Sequence, residues 1–403
     1  MLHLFALCLL VSTNDVLVSA QAVPQTIQLQ SRIAPAAATL RRRALNPVTV
    51  PLADFFLGTD LQWFGNITVG TPPQNVSVVF DTGSSTLEFA STLCATCSNQ
   101  VQFDSKKSST FVDGGDTSTI TFSTGVGVDP VVGDNYQLTL RSGTDTVAVG
   151  GLSAPATDLF LITKQTAKFD INPFSGIQGM SARAQGFFAG LVQQGLPSLF
   201  SLYVTPKAVG NAELTIGGID TTKFKGALTY ASIPADAGDT WSLESPQLSV
   251  NGKTTSVLKA KRNIIFDSGT SNVLFPTATA NAIYALISEK ITPHTAEPGT
   301  YGIACDLIST LPAVIDIEFT AQDGSPFNLT IPSSELSVGP FTADPTVCQT
   351  LINAFDGLSL VGGRSEPDFL ASGSDSYWHI RSLFKHYYSV WDVSKQRIGF
   401  AAV

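Results

Sequence analysis

Two short segments of the chain each carry an aspartate that follows an apolar run and precedes a hydroxyl residue and a glycine. Asp81 lies in VVFDTGSSTLEF (78–89), and Asp267 lies in IIFDSGTSNVLF (264–275), 186 residues further along. One such segment alone is explained by a strand that ends in a turn, because short polar side chains and glycine favour turns. A repeat at about one domain length predicts two similar lobes that each supply one carboxylate.

Two carboxylates a few ångström apart cannot both ionise easily, so Asp81 and Asp267 are predicted to share one proton. The ionised member can take a proton from a water molecule while the protonated member hydrogen-bonds a substrate carbonyl, which is general acid and base catalysis without a covalent intermediate. This chemistry needs acid pH, since the shared proton must be kept. The competing interpretation is that both aspartates are turn residues satisfied by backbone N–H groups.

The residues beside the two aspartates suit such a pair. The glycines allow the backbone of one lobe to approach the carboxylate of the other. The hydroxyl residue directly after each aspartate can tie the two loops together, and the one three positions after it can bond the outer carboxylate oxygen. These predicted supporting residues are Thr82, Gly83, Ser84, Ser268, Gly269 and Thr270.

The composition bounds the fold and the partners. At 403 residues the chain is long enough for two cores, and 14% charged residues with 33 glycines and 22 prolines favour strands joined by tight turns. We predict an all-β protein with lobes at 60–232 and 233–403. The net charge of −9 excludes nucleic acid and anionic membranes as partners, because binding either requires a basic patch.

The N-terminal region is typical of an exported precursor. Residues 1–20 contain the apolar run LFALCLLV and end in small residues, which predicts a signal peptide rather than a membrane anchor or a buried strand. Residues 21–59 are locally basic and carry three consecutive arginines that end at Arg43. This segment is either a disordered arm or, as we favour, a prosegment that occupies an acidic cleft and is cut near Arg43.

Cysteine usage agrees with export. Cys8 would leave with the signal peptide, and the four other cysteines have three possible pairings, of which the pairing within each lobe is the simplest. The C-x-x-C pair could instead be a redox or zinc half-site, but no second such pair and no nearby histidine accompanies it, so we predict no metal. The four cysteines are Cys94, Cys97, Cys305 and Cys348. Three glycosylation sequons start at Asn66, Asn75 and Asn328.

Hydrophobic patterning predicts mostly strands, with a hairpin turn at 70–73. Helices are predicted at 186–195 and at 277–291. The predicted apolar face of the second helix is formed by Ala282, Leu286 and Ile287.

Together these residues resemble the pepsin-like aspartic peptidases, and the resemblance extends over about 60–403. It is carried by WFGNITVGTPPQNVSVVFDTGSS, DSGTS, LFSLYV, LTIGGID and the terminal YYSVWDVSKQRIGFA. The resemblance implies two β-barrel-like lobes, a central cleft that holds an extended polypeptide, and acid endopeptidase activity with Asp81 and Asp267 as the catalytic pair. It also implies an inhibitory prosegment, a monomer without cofactor or membrane anchor, and secretion or, alternatively, a vacuolar or lysosome-like destination. The implied β-hairpin flap carries Phe122, Ser123, Thr124 and Gly125.

The chain departs from this family near the predicted chemistry. Phe122 stands where the family places a flap tyrosine, and Glu88 stands where a tryptophan hydrogen-bonds that tyrosine. Glu88 would either add a third carboxylate near the cleft or, as we favour, be a solvated residue. Behind the catalytic loops, the family expects an aspartate at Ser175, a leucine at Gln178 and a glycine at Arg381.

Two functions are compatible with the sequence. The first is a secreted acid endopeptidase, which we favour because both aspartates and their hydroxyl and glycine neighbours are present. The second is a non-catalytic relative whose cleft binds a peptide, a protein or a carbohydrate. An inhibitor that mimics the tetrahedral intermediate would discriminate between them, since only a working pair of aspartates should prefer such a mimic over a substrate.

Overall fold

The computed structural model describes residues 45–122, 131–356, 377–379 and 382–403. The predicted signal peptide (1–20), Arg43, Arg381 and the flap residues Ser123, Thr124 and Gly125 lie outside these ranges. In the described part of the chain, strands far outnumber helices, and the predicted all-β class is confirmed.

The strands are short and numerous. They are β1 (Val48–Phe56), β2 (Asp60–Val69), β3 (Gln74–Asp81), β4 (Leu87–Ala90), β5 (Val112–Thr121), β6 (Gln137–Val149), β7 (Leu152–Gln165), β8 (Gly176–Gly179), β9 (Leu199–Tyr203), β10 (Ala212–Ile216), β11 (Thr229–Ser232), β12 (Ser242–Ser245), β13 (Leu248–Val250), β14 (Arg262–Ile265), β15 (Val273–Phe275), β16 (Thr292–Pro293), β17 (Tyr301–Ala304), β18 (Ile315–Thr320), β19 (Pro326–Ile331), β20 (Ser337–Pro340), β21 (Val347–Thr350), β22 (Ile352–Ala354), β23 (Tyr377–His379), β24 (Tyr387–Asp392) and β25 (Arg397–Ala402).

Thirteen of these strands form one mixed sheet in the order β11-β25-β24-β9-β10-β1-β2-β3-β8-β4-β7-β6-β5. Four smaller sheets hold the other strands, and they include β12-β14-β23 and β16-β17-β21-β20. The predicted hairpin turn at 70–73 is confirmed, because β2 and β3 pair antiparallel up to Val69 and Gln74 on its two sides. In β6, buried residues alternate with partly exposed ones, as expected of a strand with one face on the core.

The end of the predicted prosegment (21–59) belongs to the large sheet. Strand β1 pairs antiparallel with β10 through Val48–Leu52 and with β2 from Ala53 onward. The folded chain therefore begins before residue 60. The prosegment and its cleavage near Arg43 stay predictions, and a cut there would leave all of β1 in the sheet.

The two predicted aspartates follow strands with the same kinds of neighbour. β3 lies between antiparallel β2 and parallel β8, and β14 lies between antiparallel β12 and parallel β23. The residue two positions before each aspartate pairs with the parallel strand in the same way, Val79 with Ile177 and Ile265 with His379. This repetition supports two similar halves. Their predicted boundary, after residue 232, falls between β11 and β12.

Helices are short in the described residues. The α-helices are α1 (Gly186–Gln193), α2 (Thr277–Ile287) and α3 (Cys305–Ile308). The 3-10 helices are Ser105–Lys107, Ala167–Ile171, Ser333–Glu335, Ser382–Lys385 and Val393–Lys395. Both predicted helices are present. The three residues of the predicted apolar face of α2, Ala282, Leu286 and Ile287, are partly buried and pack against the core. The buried residues of this helix are Thr279, Ala280, Ile283 and Tyr284.

A buried tryptophan links the loops that carry the two aspartates. The indole Nε1 of Trp241 donates to the carbonyl of Met180 (2.7 Å), and the Met180 amide donates to the carbonyl of Asp81 (2.7 Å). The amide of Phe266, which directly precedes the second aspartate, donates to the carbonyl of Trp241 (2.8 Å). Trp241 also packs edge-to-face on Trp391, with ring centroids 5.2 Å apart. These bonds fix both loops against one core.

The four cysteines that follow the predicted signal peptide form two disulfides, Cys94–Cys97 and Cys305–Cys348. The predicted pairing within each half of the chain is confirmed. In the described part of the chain, no helix is both long and apolar enough to cross a membrane.

A buried ion network connects the start of β2 to the C-terminal region. The Lys385 ammonium lies 2.5 Å from a carboxylate oxygen of Glu335 and 3.5 Å from one of Asp60, and Nε2 of His386 lies 3.1 Å from Glu335. Burial acts to raise the pKa of Glu335, but the hydrogen bond with His386 and the charge of Lys385 outweigh it, so the net pKa lies below the ordinary glutamate value.

Replacing this glutamate should cost stability at neutral pH and little in acid. A carboxyl group whose pKa is lowered by folding stabilises the protein above its unfolded pKa, about 4.3, and that contribution is lost as the pH falls through the folded value. We expect Glu335→Gln to lower the free energy of unfolding by about 1.5–3 kcal/mol at pH 7. Urea unfolding at pH 3 and pH 7 measures the difference. Glu289→Gln, at an exposed position, is the control, and an equal loss at both pH values would contradict the prediction.

Candidate active site

The carboxyl groups of Asp81 and Asp267 face each other at the ends of their strands, and both side chains are buried. A Cβ atom built on Gly83 would lie 2.6 Å from the carboxyl carbon of Asp267, and one built on Gly269 would overlap a carboxyl oxygen of Asp81. Each aspartate therefore touches the glycine of the opposite loop. Any larger residue at either glycine would push the two carboxyl groups apart.

Each carboxyl group accepts two matching hydrogen bonds from its own loop, and Oδ1 of Asp267 accepts a third from the Thr270 amide (3.3 Å). Oδ1 of Asp81 accepts from the Gly83 amide (2.9 Å), and its Oδ2 accepts from the Ser84 hydroxyl (2.5 Å). Oδ1 of Asp267 accepts from the amide of the matching glycine (2.7 Å), and its Oδ2 accepts from the Thr270 hydroxyl. The outer oxygens are thus held by hydroxyl groups.

Thr82 and Ser268 tie the two loops to each other through four reciprocal hydrogen bonds, two between these residues and two from their hydroxyl groups to backbone carbonyls of the opposite loop. The Thr82 hydroxyl donates to the carbonyl of Phe266 (2.8 Å) and accepts from the Ser268 amide (2.9 Å). The Ser268 hydroxyl donates to the carbonyl of Phe80 (2.6 Å) and accepts from the Thr82 amide (3.0 Å). Both side chains are buried. This lattice fixes the spacing of the two carboxyl groups without using their oxygens.

The environment of Asp81 favours its protonated form. Burial is the largest cause that raises its pKa well above the ordinary aspartate value, followed by the charge of Asp267 and a hydrogen bond shared with it. The bonds from Ser84 and Gly83 act in the opposite direction and are weaker. Two carboxyl groups that interact this strongly titrate in two separate steps that belong to the pair rather than to either residue.

Two of the departures from the family lie near Asp81, one in β8 and one directly before this strand. Asp81 pairs with Gly179 in the parallel ladder of β3 and β8. A Cβ atom on Gly179 would lie about 2.5 Å from the Ser85 backbone, so this glycine allows close packing of the loop. Gln178 occupies a buried position where its Nε2 donates to the Gly179 carbonyl (2.9 Å), and Ser175 is also buried. In the second half of the chain, the position that corresponds to Gly179 is Arg381, which lies outside the described residues.

An open cavity contains both aspartates and has an empty volume of about 660 Å³, counting the space open to solvent. Its walls include the rings of Phe122, Phe169 and Phe174. Glu88 also lines it and is 1% exposed. Our preferred interpretation of Glu88 as a solvated residue is therefore wrong. Strand β4 lies between β7 and β8 in the sheet, and all four of its residues are buried.

The predicted flap hairpin is present up to its tip. β5 and β6 pair antiparallel to Thr121 and Gln137, and the Phe122 ring packs edge-to-face on Phe169, with centroids 5.6 Å apart. Phe122 thus contacts the cavity wall instead of a hydrogen-bonding partner. Among the described residues, no cluster of His, Cys, Asp and Glu side chains is placed to hold a metal ion.

Sequence reasoning missed several residues of this cavity. The Nε2 of Gln62 donates to the carbonyl of Gly269 and so links β2 to the opposite loop. Phe169, Asn172 and Phe174 form part of the wall, although they lie about 90 residues after Asp81 in the chain. For these wall residues, the sequence offered one indication, which is that Phe174 directly precedes the segment SGIQGM. The three sequon asparagines are exposed, and their glycosylation stays a prediction.

Comparisons with known proteins agree with this geometry. The family model described as eukaryotic aspartyl protease matches residues 62–403. Rhizopuspepsin-3 of Rhizopus niveus is 31% identical over 280 residues, which are 66% of this chain and 66%, just under two thirds, of that protein. Pepsin-2B of Gadus morhua is 29% identical over 355 residues, which are 85% of this chain and 96% of that protein.

Removing one hydroxyl group from the Thr82–Ser268 lattice should destabilise the protein. Thr82→Val keeps the shape but leaves the Phe266 carbonyl and the Ser268 amide without their partner, at about 1–3 kcal/mol each. Thr82→Ser is the matched control, because it keeps the hydroxyl and loses one methyl group, worth about 1 kcal/mol. Urea unfolding measures both. Equal losses in the two variants would mean that the lattice contributes nothing beyond packing.

Proposed function

Because the chain belongs to the eukaryotic aspartyl protease family, we propose that it is an aspartic endopeptidase that hydrolyses peptide bonds at acid pH. The observation that carries the proposal is the pair of buried carboxyl groups, Asp81 and Asp267, which accept matching hydrogen bonds from their own loops. The hydrogen bonds of Thr82 and Ser268 bring the two loops together. Such a pair offers a base and an acid in one cavity.

The proposed reaction uses one proton shared by the two aspartates. The ionised carboxylate takes a proton from a water molecule as its oxygen bonds to the peptide carbon, and the protonated carboxyl gives its proton to the carbonyl oxygen. The resulting neutral diol then breaks its C–N bond: one carboxyl protonates the leaving nitrogen while the other takes a proton from a diol hydroxyl. The products are an amine and a carboxylic acid, and the pair again holds one proton.

The raised pKa of Asp81 sets the direction of the pH dependence. Activity requires one ionised and one protonated carboxyl, so it should fall when the pH rises through the higher titration step of the pair and the shared proton is lost. It should also fall in strong acid, when both groups become protonated. The proposed enzyme therefore works in an acid window.

We further propose that the substrate is an extended polypeptide in the cavity beneath the β5–β6 hairpin, and that the enzyme acts as a monomer. Export through the secretory route is supported by the two disulfides and the apolar N-terminal run. The final destination is extracellular in this proposal, with a vacuolar or lysosome-like compartment as the alternative. Removal of a prosegment near Arg43 would precede activity.

Hydrolysis of a denatured protein between pH 2 and pH 7 tests the proposal. Acid-treated wild type should cleave it with an optimum below pH 7, and Asp81→Asn and Asp267→Asn should each lower the rate by about a thousandfold or more, because either change removes the acid and base pair. Asp158→Asn, at an exposed position outside the cavity, is the matched control and should keep full activity.

A folded and processed wild type that cleaves nothing at any of these pH values would overturn the proposal. The chain would then be a relative that binds peptides, proteins or carbohydrates in its cleft without cutting them. Activity that survives either asparagine substitution would likewise exclude the shared-proton mechanism.

A further inference from the structure

The start of β2, in the first half of the chain, holds the loop that carries the second aspartate. The Ser271 hydroxyl donates to the carbonyl of Leu61 (2.9 Å), and Nε2 of the next residue, Gln62, donates to the carbonyl of Gly269 (2.5 Å). The Gln62 and Ser271 side chains are both buried. These two bonds therefore anchor the loop on either side of Thr270.

Thr270, the residue between the two anchors, bonds the carboxyl group of Asp267 through two groups. Its hydroxyl donates to Oδ2, and its amide donates to Oδ1 (3.3 Å). Hydrogen bonds donated to a carboxylate favour the ionised form. The orientation of Thr270 therefore affects how readily Asp267 ionises.

The carbonyl that accepts from Gln62 and the amide that donates to Asp267 belong to one peptide group, the 269–270 peptide group. A trans peptide group is planar, so its C=O and N–H bonds point in opposite directions. A donor that fixes the carbonyl on one side fixes the N–H on the other. The bond also polarises the peptide group, which makes its N–H a stronger donor. Gln62 thus acts on Asp267 through a single rigid unit.

The same backbone also touches the first aspartate. A Cβ atom built on Gly269 would overlap Oδ1 of Asp81, while the Gly269 amide donates to Oδ1 of Asp267 (2.7 Å). Burial, followed by the charge of Asp267, raises the pKa of Asp81 well above its ordinary value. The two carboxyl groups therefore lie against one backbone segment, and the bonds from the 269–270 peptide group favour ionisation of Asp267 in particular.

We propose that Gln62 is a positioning residue that holds the 269–270 peptide group against Asp267 and so makes Asp267 the member of the pair that ionises first and acts as the base. The inference rests on the proposed endopeptidase function, and it goes beyond that function by giving different roles to two carboxyl groups that the reaction alone leaves interchangeable. A glutamine suits this role because its neutral amide donates at every pH at which the enzyme would work.

Gln62→Met removes the donor and keeps a side chain of similar length. Without the bond the ionised form of Asp267 is less stable, so the acid limb of the kcat/KM profile should move to higher pH by about 0.5–1 unit, which is about a 3- to 10-fold loss of rate on that limb. The alkaline limb, which reports loss of the second proton, should stay in place. Hydrolysis of a quenched peptide between pH 2 and pH 7 measures both limbs.

Gln62→Glu should rescue the acid limb. The introduced carboxyl group is protonated in strong acid, and its O–H can then donate to the carbonyl of Gly269 as the glutamine amide does. As the pH rises this group ionises and loses its donor, so the rate relative to wild type should fall. Gln193→Glu, at an exposed position outside the cavity, is the matched control and should keep both limbs.

Other roles of Gln62 would give different results. An acid limb that stays in place in Gln62→Met while KM rises would mean that the side chain only contacts substrate, and it would overturn the inference. A shifted alkaline limb with a fixed acid limb would also overturn it, because the bond would then act on the carboxyl group that keeps the proton. If Gln62→Met does not fold, Gln62→Glu decides: a rate that stays in constant ratio to wild type from pH 2 to pH 7 contradicts the proposal.

Carbon-13 NMR of the aspartate carboxyl groups separates this inference from the proposed function, because it needs no substrate. The first titration step of the pair should lie about 0.5–1 unit higher in Gln62→Met than in wild type. If the wild type cuts peptides but this step does not move, the function holds and the inference fails. If nothing is cut while the step still moves, Gln62 controls the ionisation of Asp267 and the function fails.

Discussion

The reciprocal hydrogen bonds between Thr82 and Ser268 are the constraint on which the site depends. Two buried carboxyl groups repel each other when both ionise, and burial makes that repulsion stronger than in water. The lattice holds their loops together through hydroxyl and backbone groups, so the carboxyl oxygens stay available for a proton and a substrate. Gly83 and Gly269 then allow a contact that no side chain would permit.

Hydrogen bonds in the buried core also hold the two loops in place. Trp241 connects the loop after β3, through Met180, to the residue before Asp267, and all three of these contacts are buried hydrogen bonds. The repeated arrangement of an antiparallel and a parallel neighbour around β3 and β14 explains why the two loops have the same shape. A shift in either strand would therefore move a carboxyl group.

The sequence predicts the parts of the site that local pattern determines. Asp81 and Asp267 stand out because apolar strand, aspartate, hydroxyl and glycine recur in order. Glu88 was misjudged, because its burial follows from the position of β4 between two strands that come about 70 and 90 residues later, which no local pattern reports. The most deeply buried residues of α2, Ile283 and Tyr284, were not singled out for the same reason, because their burial depends on strands that are distant in the chain.

The central claim is that the two aspartates hold one proton between them. Carbon-13 NMR of protein labelled at the aspartate carboxyl carbons, recorded from pH 2 to pH 8, measures it directly when wild type is compared with Asp81→Asn and Asp267→Asn. The account predicts two coupled resonances with one titration step displaced well above the ordinary aspartate range, and loss of that coupled behaviour in each variant. Two independent titrations in the ordinary range, unchanged by removal of the partner, would contradict it.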